Sequence, residues 1–298
     1  MDKQKMTGHL LALFSMIVWG TTYIASKMLL EFLQPTQLLA LRFFVAYVVS
    51  WCCAPRWYPF TSWKEELGFI SLAFFGIVGY YYLENVGLLY TSASNVSIII
   101  SAAPMFTALA AHLVLPDEKM TRSTVLGFVV AMAGVVLVVG NGALVLKMSP
   151  KGDFLALGAA MLWAVYSVQL KGHASRMDQF ILTRRMLFYA LCMVLPILAG
   201  SGQLSLPWHH LLRPMPILCL AELAILGSCL CYVAWNHAVT RLGVVKTNNY
   251  IYIGPFITMI TAALTIGEPV SLAGVVGTAC IIVGVVLAGR QKENKEIK

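Results

Sequence analysis

Residues 79–104 read GYYYLENVGLLYTSASNVSIIISAAP, and this stretch decides how the rest of the chain is interpreted. Its polar and ionisable residues, Glu84 among them, lie within a largely apolar sequence. Such groups are costly at membrane depth, so they usually face a partner or a water-filled cavity. Residues 231–255, CYVAWNHAVTRLGVVKTNNYIYIGP, repeat the pattern 151 residues later and pair Tyr81 with Tyr232, Asn85 with Asn236 and Pro104 with Pro255. We interpret the two stretches as copies of one hairpin, with the functional site between them.

The composition is that of a membrane protein. The 298 residues are 59% hydrophobic and 11% charged, whereas a soluble domain has about 25% charged residues. Apolar runs of roughly 20 residues, the length that crosses a bilayer as a helix, recur along the chain. They predict an all-α integral membrane protein with ten transmembrane helices and no soluble domain. The predicted spans are 8–28, 35–54, 66–86, 92–114, 122–140, 152–171, 179–199, 214–238, 245–266 and 271–289.

The net charge of +8 reflects membrane topology rather than nucleic-acid binding, because the basic residues lie in short loops and at the tail. With the N-terminus inside, fourteen Lys and Arg residues fall on the inner side, four fall in outer loops and three lie within spans. We expect a multi-pass protein of the cell membrane, and the positive-inside rule predicts its orientation. Both tails, 1–7 and 290–298, are expected in the cytoplasm.

The duplication extends well beyond the opening hairpin. Further matched pairs are Trp19 with Trp163, Lys27 with Lys171, Arg42 with Arg185, Glu118 with Glu268, Gly127 with Gly277 and Gly134 with Gly284. The repeats are predicted to span 8–140 and 152–289, with five helices each. Because five is odd, the second copy must be inserted upside down relative to the first. Inverted repeats around a midplane site are an architecture of secondary transporters.

Several motifs in order resemble a known family. These are WGTTYIASK in the first span, LALRFFVAY with its buried Arg42, YTSASNVSIIISAAPMFTAL, Glu118 and LGFVVAMAGVVLVV. Together they resemble the EamA branch of the drug/metabolite transporter superfamily over essentially the whole chain. The resemblance implies a ten-helix fold, export of small metabolites such as amino acids, and a central cavity lined by spans 1, 3, 4, 6, 8 and 9. It does not supply a substrate.

Matched polar stripes give the first candidate site residues. Ser94, Ser97, Ser101 and Pro104 share one face of span 4, and the matched positions of span 9 are Val245, Asn248, Tyr252 and Pro255. These stripes either line a shared cavity or let helices pack closely through small residues. Asn248 and Tyr252 are too large to act as packing spacers. Pro104 and Pro255 are predicted hinges, because proline bends a helix.

Glu84 is the predicted site of proton coupling. A buried carboxyl group that binds a proton in one state and a cationic substrate group in another would exchange the two. The alternatives are a structural carboxylate near the membrane surface or a partner for Arg42. The residue matched to Glu84 is Trp235, so this feature breaks the symmetry of the repeat.

Aromatic residues complete the predicted site. Tyr82, Tyr23, Tyr166 and Tyr250 form cavity walls or anchor the protein at the membrane interface, while Trp19 and Trp163 are favoured as walls because they match and lie mid-span. Arg42 and Arg185 either bind a substrate carboxylate or, as we favour, hold helices together. Glu118 and Glu268 are interpreted as structural caps. The predicted substrate-binding residues are Trp19, Tyr82, Glu84, Asn85, Ser97, Ser101, Trp163, Asn236, Asn248 and Tyr252.

No enzyme motif is present in the sequence: there is no HExxH, GxSxG or Walker loop and no clustered His and Asp ligands. We therefore predict no enzymatic activity, no metal, no cofactor and no ATPase subunit. The predicted function is secondary active export of amino acids or related metabolites, exchanged for protons across the bilayer. The alternatives are a proton-coupled antiporter of amines or lipophilic cations and, with less support, a channel or an intramembrane enzyme.

Overall fold

The computed structural model describes residues 3–91, 93–140, 149–266 and 272–289. It is 85% helical, and the described residues contain no strand. In chain order the helices are α1 Lys3–Leu29, α2 Pro35–Cys53, α3 Trp63–Tyr90, α4 Ala93–Ile100, α5 Ala103–Val114, α6 Arg122–Gly140, α7 Pro150–Ala174, α8 Gln179–Gly200, α9 Trp208–Leu211, α10 Pro214–Leu242, α11 Val244–Asn248, α12 Gly254–Ile266 and α13 Leu272–Gly289.

Seven stretches of the described chain are long and apolar enough to cross a membrane: α1, α2, α3, the α4–α5 segment, α7, α8 and α10. The apolar parts of α6 and α13, Arg122–Leu137 and Val275–Ala288, are shorter. Residues 244–266 are divided into α11, a tight 3₁₀ segment at Asn249–Ile253 and α12. The all-helical membrane architecture is therefore confirmed, whereas the ten spans and their inverted arrangement stay predictions.

Two helices contain wide π-helical segments at matched positions. One is Phe74–Val78 in α3 and the other is Glu222–Leu230 in α10. Such segments leave backbone carbonyls available for other donors and are frequent at functional sites. Gly76 and Gly227 lie inside them, 151 residues apart.

Both predicted hinge prolines follow an interruption in a helical path. Pro104 is the second residue of α5, just after the break between α4 and α5. Pro255 is the second residue of α12, just after the 3₁₀ segment. Proline is well tolerated in the first turn of a helix because its missing N–H would have no partner there. The regular α-helix is therefore interrupted at equivalent points of the two halves.

Helices α6 and α13 pack through glycines. A Cβ atom added at Gly134 would lie 2.5 Å from the carbonyl oxygen of Gly277, and one added at Gly284 would lie 2.5 Å from the backbone nitrogen of Ala131. Small residues allow membrane helices to approach this closely. The pair joins the last helices of the two predicted repeats.

Arg185 holds a connection between helices, together with its neighbour Arg184. The Arg184 guanidinium donates to the carbonyl of Ala54 at 2.5 Å. Arg185 donates to the carbonyl of Tyr58 at 2.6 Å and pairs with Glu66 at 3.4 Å. The two arginines thus attach the start of α8 to the segment between α2 and α3, in agreement with the helix-holding interpretation of Arg185.

Candidate functional site

Aromatic rings from α1, α3, α7 and α10 meet at the centre of the bundle. The Trp19 ring lies 5.4 Å from Trp163, 5.5 Å from Tyr232 and 5.2 Å from Trp235 between centroids. Tyr80 contacts Trp163 at 5.1 Å. These edge-to-face and tilted contacts are favourable because the ring edges are positive and the faces negative. We call the five residues the aromatic cluster.

A small cavity lies beside this cluster and is lined by three of its residues. Five aromatic side chains line it, namely Trp19, Tyr23, Tyr80, Tyr81 and Trp163, together with apolar residues and Thr22. Its volume is about 30 Å³, which is space for about two water molecules. An amino acid would not fit until some of these rings moved, so the site is closed in this conformation.

The rings are fixed by hydrogen bonds to the π-helical segments. The Trp19 Nε1–H donates to the Gly227 carbonyl at 2.9 Å, and the Tyr232 hydroxyl donates to the Gly76 carbonyl at 2.5 Å. Each half of the chain thus holds a ring of the other half through its widened helix. Sequence reasoning missed these carbonyls, although the matched glycines Gly76 and Gly227 were a signal that could have found them.

Asn248 joins three helices near the cluster. Its Oδ1 accepts from Trp163 Nε1–H at 2.9 Å, from Ser167 at 3.3 Å and from Thr107 at 3.4 Å. Its Nδ2 donates to the Val244 carbonyl at 3.0 Å. Asn248 is fully buried and does not line the cavity. It orients Trp163, which does.

Asn236 is also fully buried, and both its Oδ1 and its Nδ2 have a hydrogen-bond partner. The Tyr166 hydroxyl donates to its Oδ1 at 3.2 Å, and its Nδ2 donates to Thr183 Oγ1 at 3.4 Å. These bonds join α10 to α7 and α8, away from the cavity lining. In this conformation Asn236 connects helices.

Asn85 and Ser97, the residues matched to Asn236 and Asn248, are different. Asn85 is 0% exposed, and within the described chain neither its Oδ1 nor its Nδ2 has a hydrogen-bond partner. The buried Ser97 hydroxyl has none either, although the Ser97 carbonyl accepts from the Ser101 hydroxyl at 2.8 Å. Most buried polar atoms in proteins are hydrogen-bonded, so such exceptions need an explanation.

Glu84 lies beside the cavity rather than at a helix end. Glu84 is 3% exposed, and its carboxylate lies near the Tyr80 hydroxyl. The Arg42 guanidinium attracts it through space, and the Tyr23 hydroxyl is a further neighbour. The alternative of a surface carboxylate does not fit this burial. Glu84 can reach the cavity through Tyr80 and Tyr23, which line it.

Arg42 is a fully buried cation in α2. Its Nε–H donates to Ser228 Oγ at 2.9 Å, and its guanidinium carbon lies 3.9 Å from the centroid of the Tyr81 ring. A third contact is a 3.4 Å hydrogen bond to the Leu223 carbonyl of the second π-helical segment. Among the described residues its Nη1 has no partner. Holding helices together therefore explains the hydrogen bonds of Nε and Nη2 but not the unpartnered Nη1.

The structure does not bring every predicted residue to the cavity. Tyr82 is 43% exposed on the outer face of α3, because a helix cannot turn the three consecutive tyrosines 80–82 to one side. Tyr252 packs with Ile98 and Ile281 in a separate apolar cluster. Trp19 and Trp163 line the cavity, Glu84 adjoins it, and Tyr82 is left out of the site proposed below.

One end of the bundle is held by a cluster around Glu118. The carboxylate accepts from the backbone N–H groups of Val244 and Val245 at 2.9 and 2.7 Å and from Lys171 Nζ at 2.8 Å. Lys171 also pairs with Asp117 at 2.6 Å, and this hydrogen bond holds the pKa of Asp117 below its ordinary value. Glu118 thus caps α11 and joins it to α7.

The equivalent lysine of the first half makes different contacts. Lys27, matched to Lys171, donates to the carbonyl of Leu88 and, at 3.2 Å, to that of Thr91. It thereby ties the end of α1 to the end of α3. Glu268, which is matched to Glu118, lies outside the described residues.

Comparison with known sequences agrees with the two-part organisation. The sequence model of the EamA-like transporter family matches residues 6–140 and again residues 150–290. An uncharacterised transporter of Archaeoglobus fulgidus is 30% identical over 94% of this chain and 96% of its own length. YyaM, an uncharacterised transporter of Bacillus subtilis, is 30% identical over 91% of this chain and 90% of its own.

Two further comparisons concern function and fold. A protein of Streptantibioticus cattleyicolor, named a probable terminal-alkyne amino-acid exporter, is 28% identical over 72% of this chain and 70% of its own. A solved crystal structure superimposes on 94% of this chain and 97% of its own with a TM-score of 0.74. At 19% identity this second likeness concerns the fold alone.

Proposed function

Since the chain belongs to the EamA-like transporter family, we propose that it is a secondary active transporter that exports amino acids or related small metabolites. The observation that carries this proposal is the aromatic-lined cavity between the helices, with a buried carboxylate and a buried guanidinium beside it. An enclosed cavity between helices with a few polar groups is the usual form of a small-molecule site.

We propose ten transmembrane helices in two inverted repeats, 8–140 and 152–289, with both termini in the cytoplasm. The matched residue pairs and the excess of inner-side Lys and Arg support this arrangement. In it, the Glu118 cluster closes the cytoplasmic end and Lys27 lies toward the outside. The helix breaks before Pro104 and Pro255 are the proposed hinges. Movement at these breaks would open the cavity to each side in turn.

The charges beside the cavity favour a zwitterionic substrate. Glu84 and Arg42 carry opposite charges, and each contacts a tyrosine that lines the cavity. The aromatic walls would enclose the apolar side chain of an amino acid. The name of the Streptantibioticus relative supports the same substrate class.

We propose that Glu84 couples export to proton entry. An isolated charge is costly in the membrane interior, and either a proton or a cationic group relieves that cost. A substrate ammonium group would displace the proton when it binds at the cytoplasmic side. After the substrate leaves, Glu84 would take up a proton from outside and return with it.

The test is counterflow in proteoliposomes with the twenty amino acids, a polyamine and quaternary amines, with a pH dye inside. We expect at least one amino acid to exchange, and net transport to move protons the opposite way. Glu84→Gln should retain counterflow but lose proton movement, whereas Glu65→Gln, a matched change at the start of α3, should keep both. A Glu84→Gln protein that still couples flux to pH would exclude this residue as the coupling group.

A proton-coupled antiporter of amines or lipophilic cations is the second candidate. The aromatic cluster beside Glu84 favours it, because aromatic faces attract cations. The same assay separates the two functions: exchange of the amines without exchange of any amino acid would establish the second.

A further inference from the structure

We propose that Arg42 and Asn85 form the subsite that binds the carboxylate of the transported substrate. The inference rests on the proposed function and extends it from a substrate class to the atoms that recognise it. Two independent features of the buried region around α3 carry it: a cation whose donors are only partly used, and an amide with no partner.

Arg42 lacks the compensation that a buried cation needs. Its contacts are one hydroxyl, one carbonyl at 3.4 Å and the face of Tyr81, and its Nη1 is unpartnered among the described residues. Glu84 attracts it only through space. Burying a charge without a close counter-charge costs several kcal/mol. An anion bound at Nη1 would supply the missing partner.

Asn85 lies on the same side of α3 as the ring beneath Arg42. It follows Tyr81 by four residues, and residues four apart on a helix share a face. Both atoms of its amide are buried and unpartnered in the described chain. A carboxylate between the guanidinium and the amide N–H₂ would satisfy both donors in the planar geometry that arginine favours.

The absence of partners for Asn85 follows from differences between the repeats. Its counterpart Asn236 is held by Tyr166 and Thr183. The residues matched to these, at offsets of 144 and 143, are Thr22 and Ala40. Alanine offers no hydrogen-bonding side chain, and the Thr22 hydroxyl donates to the Trp19 carbonyl at 2.7 Å. The first half therefore keeps the asparagine but lacks side chains that would form hydrogen bonds with its amide.

Tyr81 separates the subsite from the cavity in this conformation. One face of its ring lies against the Arg42 guanidinium, and the residue also lines the cavity. Because the cavity holds only about 30 Å³, substrate entry must displace lining rings. Displacement of Tyr81 would expose Nη1, so the carboxylate would bind Arg42 as the ring moves. Glu84, next to Asn85 in the chain, would then face the ammonium group.

The experiment compares the amino acid that exchanges fastest in the counterflow panel with its own amide, which lacks the carboxylate. Dissociation constants for both are measured by tryptophan fluorescence on purified wild type, Arg42→Gln and Arg42→Lys. We expect wild type to prefer the acid at least tenfold. Arg42→Gln should weaken acid binding tenfold or more and leave amide binding within twofold. Arg42→Lys should keep part of the preference, because it retains the charge.

The control is Arg185→Gln, which should leave the acid-to-amide ratio unchanged. An equal loss for acid and amide in Arg42→Gln would show a purely structural role and overturn the inference, as would unchanged acid binding. If Arg42→Gln does not fold, Asn85→Leu decides, because it removes an unpartnered amide. That variant should lower the acid-to-amide ratio at least threefold, and an unchanged ratio would overturn the inference. Failure of wild type to exchange any amino acid would instead refute the proposed function.

Discussion

The two halves of the chain place the same polar positions in opposite situations. In the second half Asn248 accepts hydrogen bonds from three side chains, and Asn236 accepts one and donates one. In the first half, the side chains of Ser97 and Asn85 at the matched positions are buried without partners in the described structure. The difference indicates a division of labour. At these two positions the side chains of the second half join helices, whereas those of the first half are left for the substrate proposed above. Elsewhere in the described second half, single side-chain atoms of Gln179, Trp235 and Asn249 are also buried without partners.

The largest effect is expected at the contact between α6 and α13, to which each half contributes a glycine. Gly134→Leu should destabilise the protein by about 3 kcal/mol or more, because its Cβ would meet the backbone of Gly277. Gly284→Leu should cost about the same, since its Cβ would meet the backbone of Ala131. Thermal unfolding in detergent measures both. Unequal costs would show that this contact, too, is asymmetric.

The next effect separates Asn248 from its counterpart Ser97. Asn248→Ala should cost about 2 kcal/mol, because it leaves the buried donors of Trp163 and Ser167 without an acceptor. Ser97→Ala should change stability by less than about 0.5 kcal/mol, since its hydroxyl makes no bond to lose. The measurement is again thermal unfolding of the purified variants. Equal costs at the two positions would remove the proposed division of labour.

A third prediction separates stability from transport at the matched asparagines. Asn236→Leu should destabilise by about 1 kcal/mol, because it leaves Tyr166 without its acceptor. Asn85→Leu should leave stability unchanged or raise it, because the change removes an unpartnered buried amide. It should nevertheless lower amino-acid counterflow at least tenfold. A stable Asn85→Leu protein with full transport would place Asn85 outside the site.

The smallest effect concerns the Glu118 cluster. Lys171 lowers the pKa of Asp117 below its unfolded value, so the ionised form stabilises the folded state above that value and the contribution is lost as pH falls through the folded pKa. Asp117→Asn should therefore lower the unfolding temperature slightly at pH 7. The difference should begin to shrink near the ordinary pKa of about 4 and vanish only below the lowered folded pKa. Asp117 is largely exposed, so solvent screens the effect. If the difference in unfolding temperature between wild type and Asp117→Asn persists in acid, it does not arise from the ionised Asp117 carboxylate.

The sequence anticipated the residue types of the site better than their arrangement. Trp19 and Trp163 were predicted as cavity walls because they match and lie mid-span, and both line the cavity. Tyr82 belonged to the same prediction but faces outward, because helix rotation within a run of tyrosines depends on packing. Asn236 and Asn248 were predicted to bind substrate, and that prediction stays open. Their side-chain partners are more than fifty residues distant in sequence, where no local pattern reveals them.

The amino-acid sequence alone is enough to recognise the class of protein and its duplication. A low charge and recurring apolar runs of roughly 20 residues predict helices in a bilayer, because only helices and closed barrels satisfy the backbone there and a spanning strand needs only about 10 residues. Matched residues at nearly constant offsets show the duplication. Which buried polar groups have hydrogen-bond partners is seen only in the folded structure. Hydrogen bonding of a buried side chain depends on the helix opposite. The positions matched to the partners of Asn236 hold Thr22 and Ala40, and the Asn85 amide has no partner in the described structure.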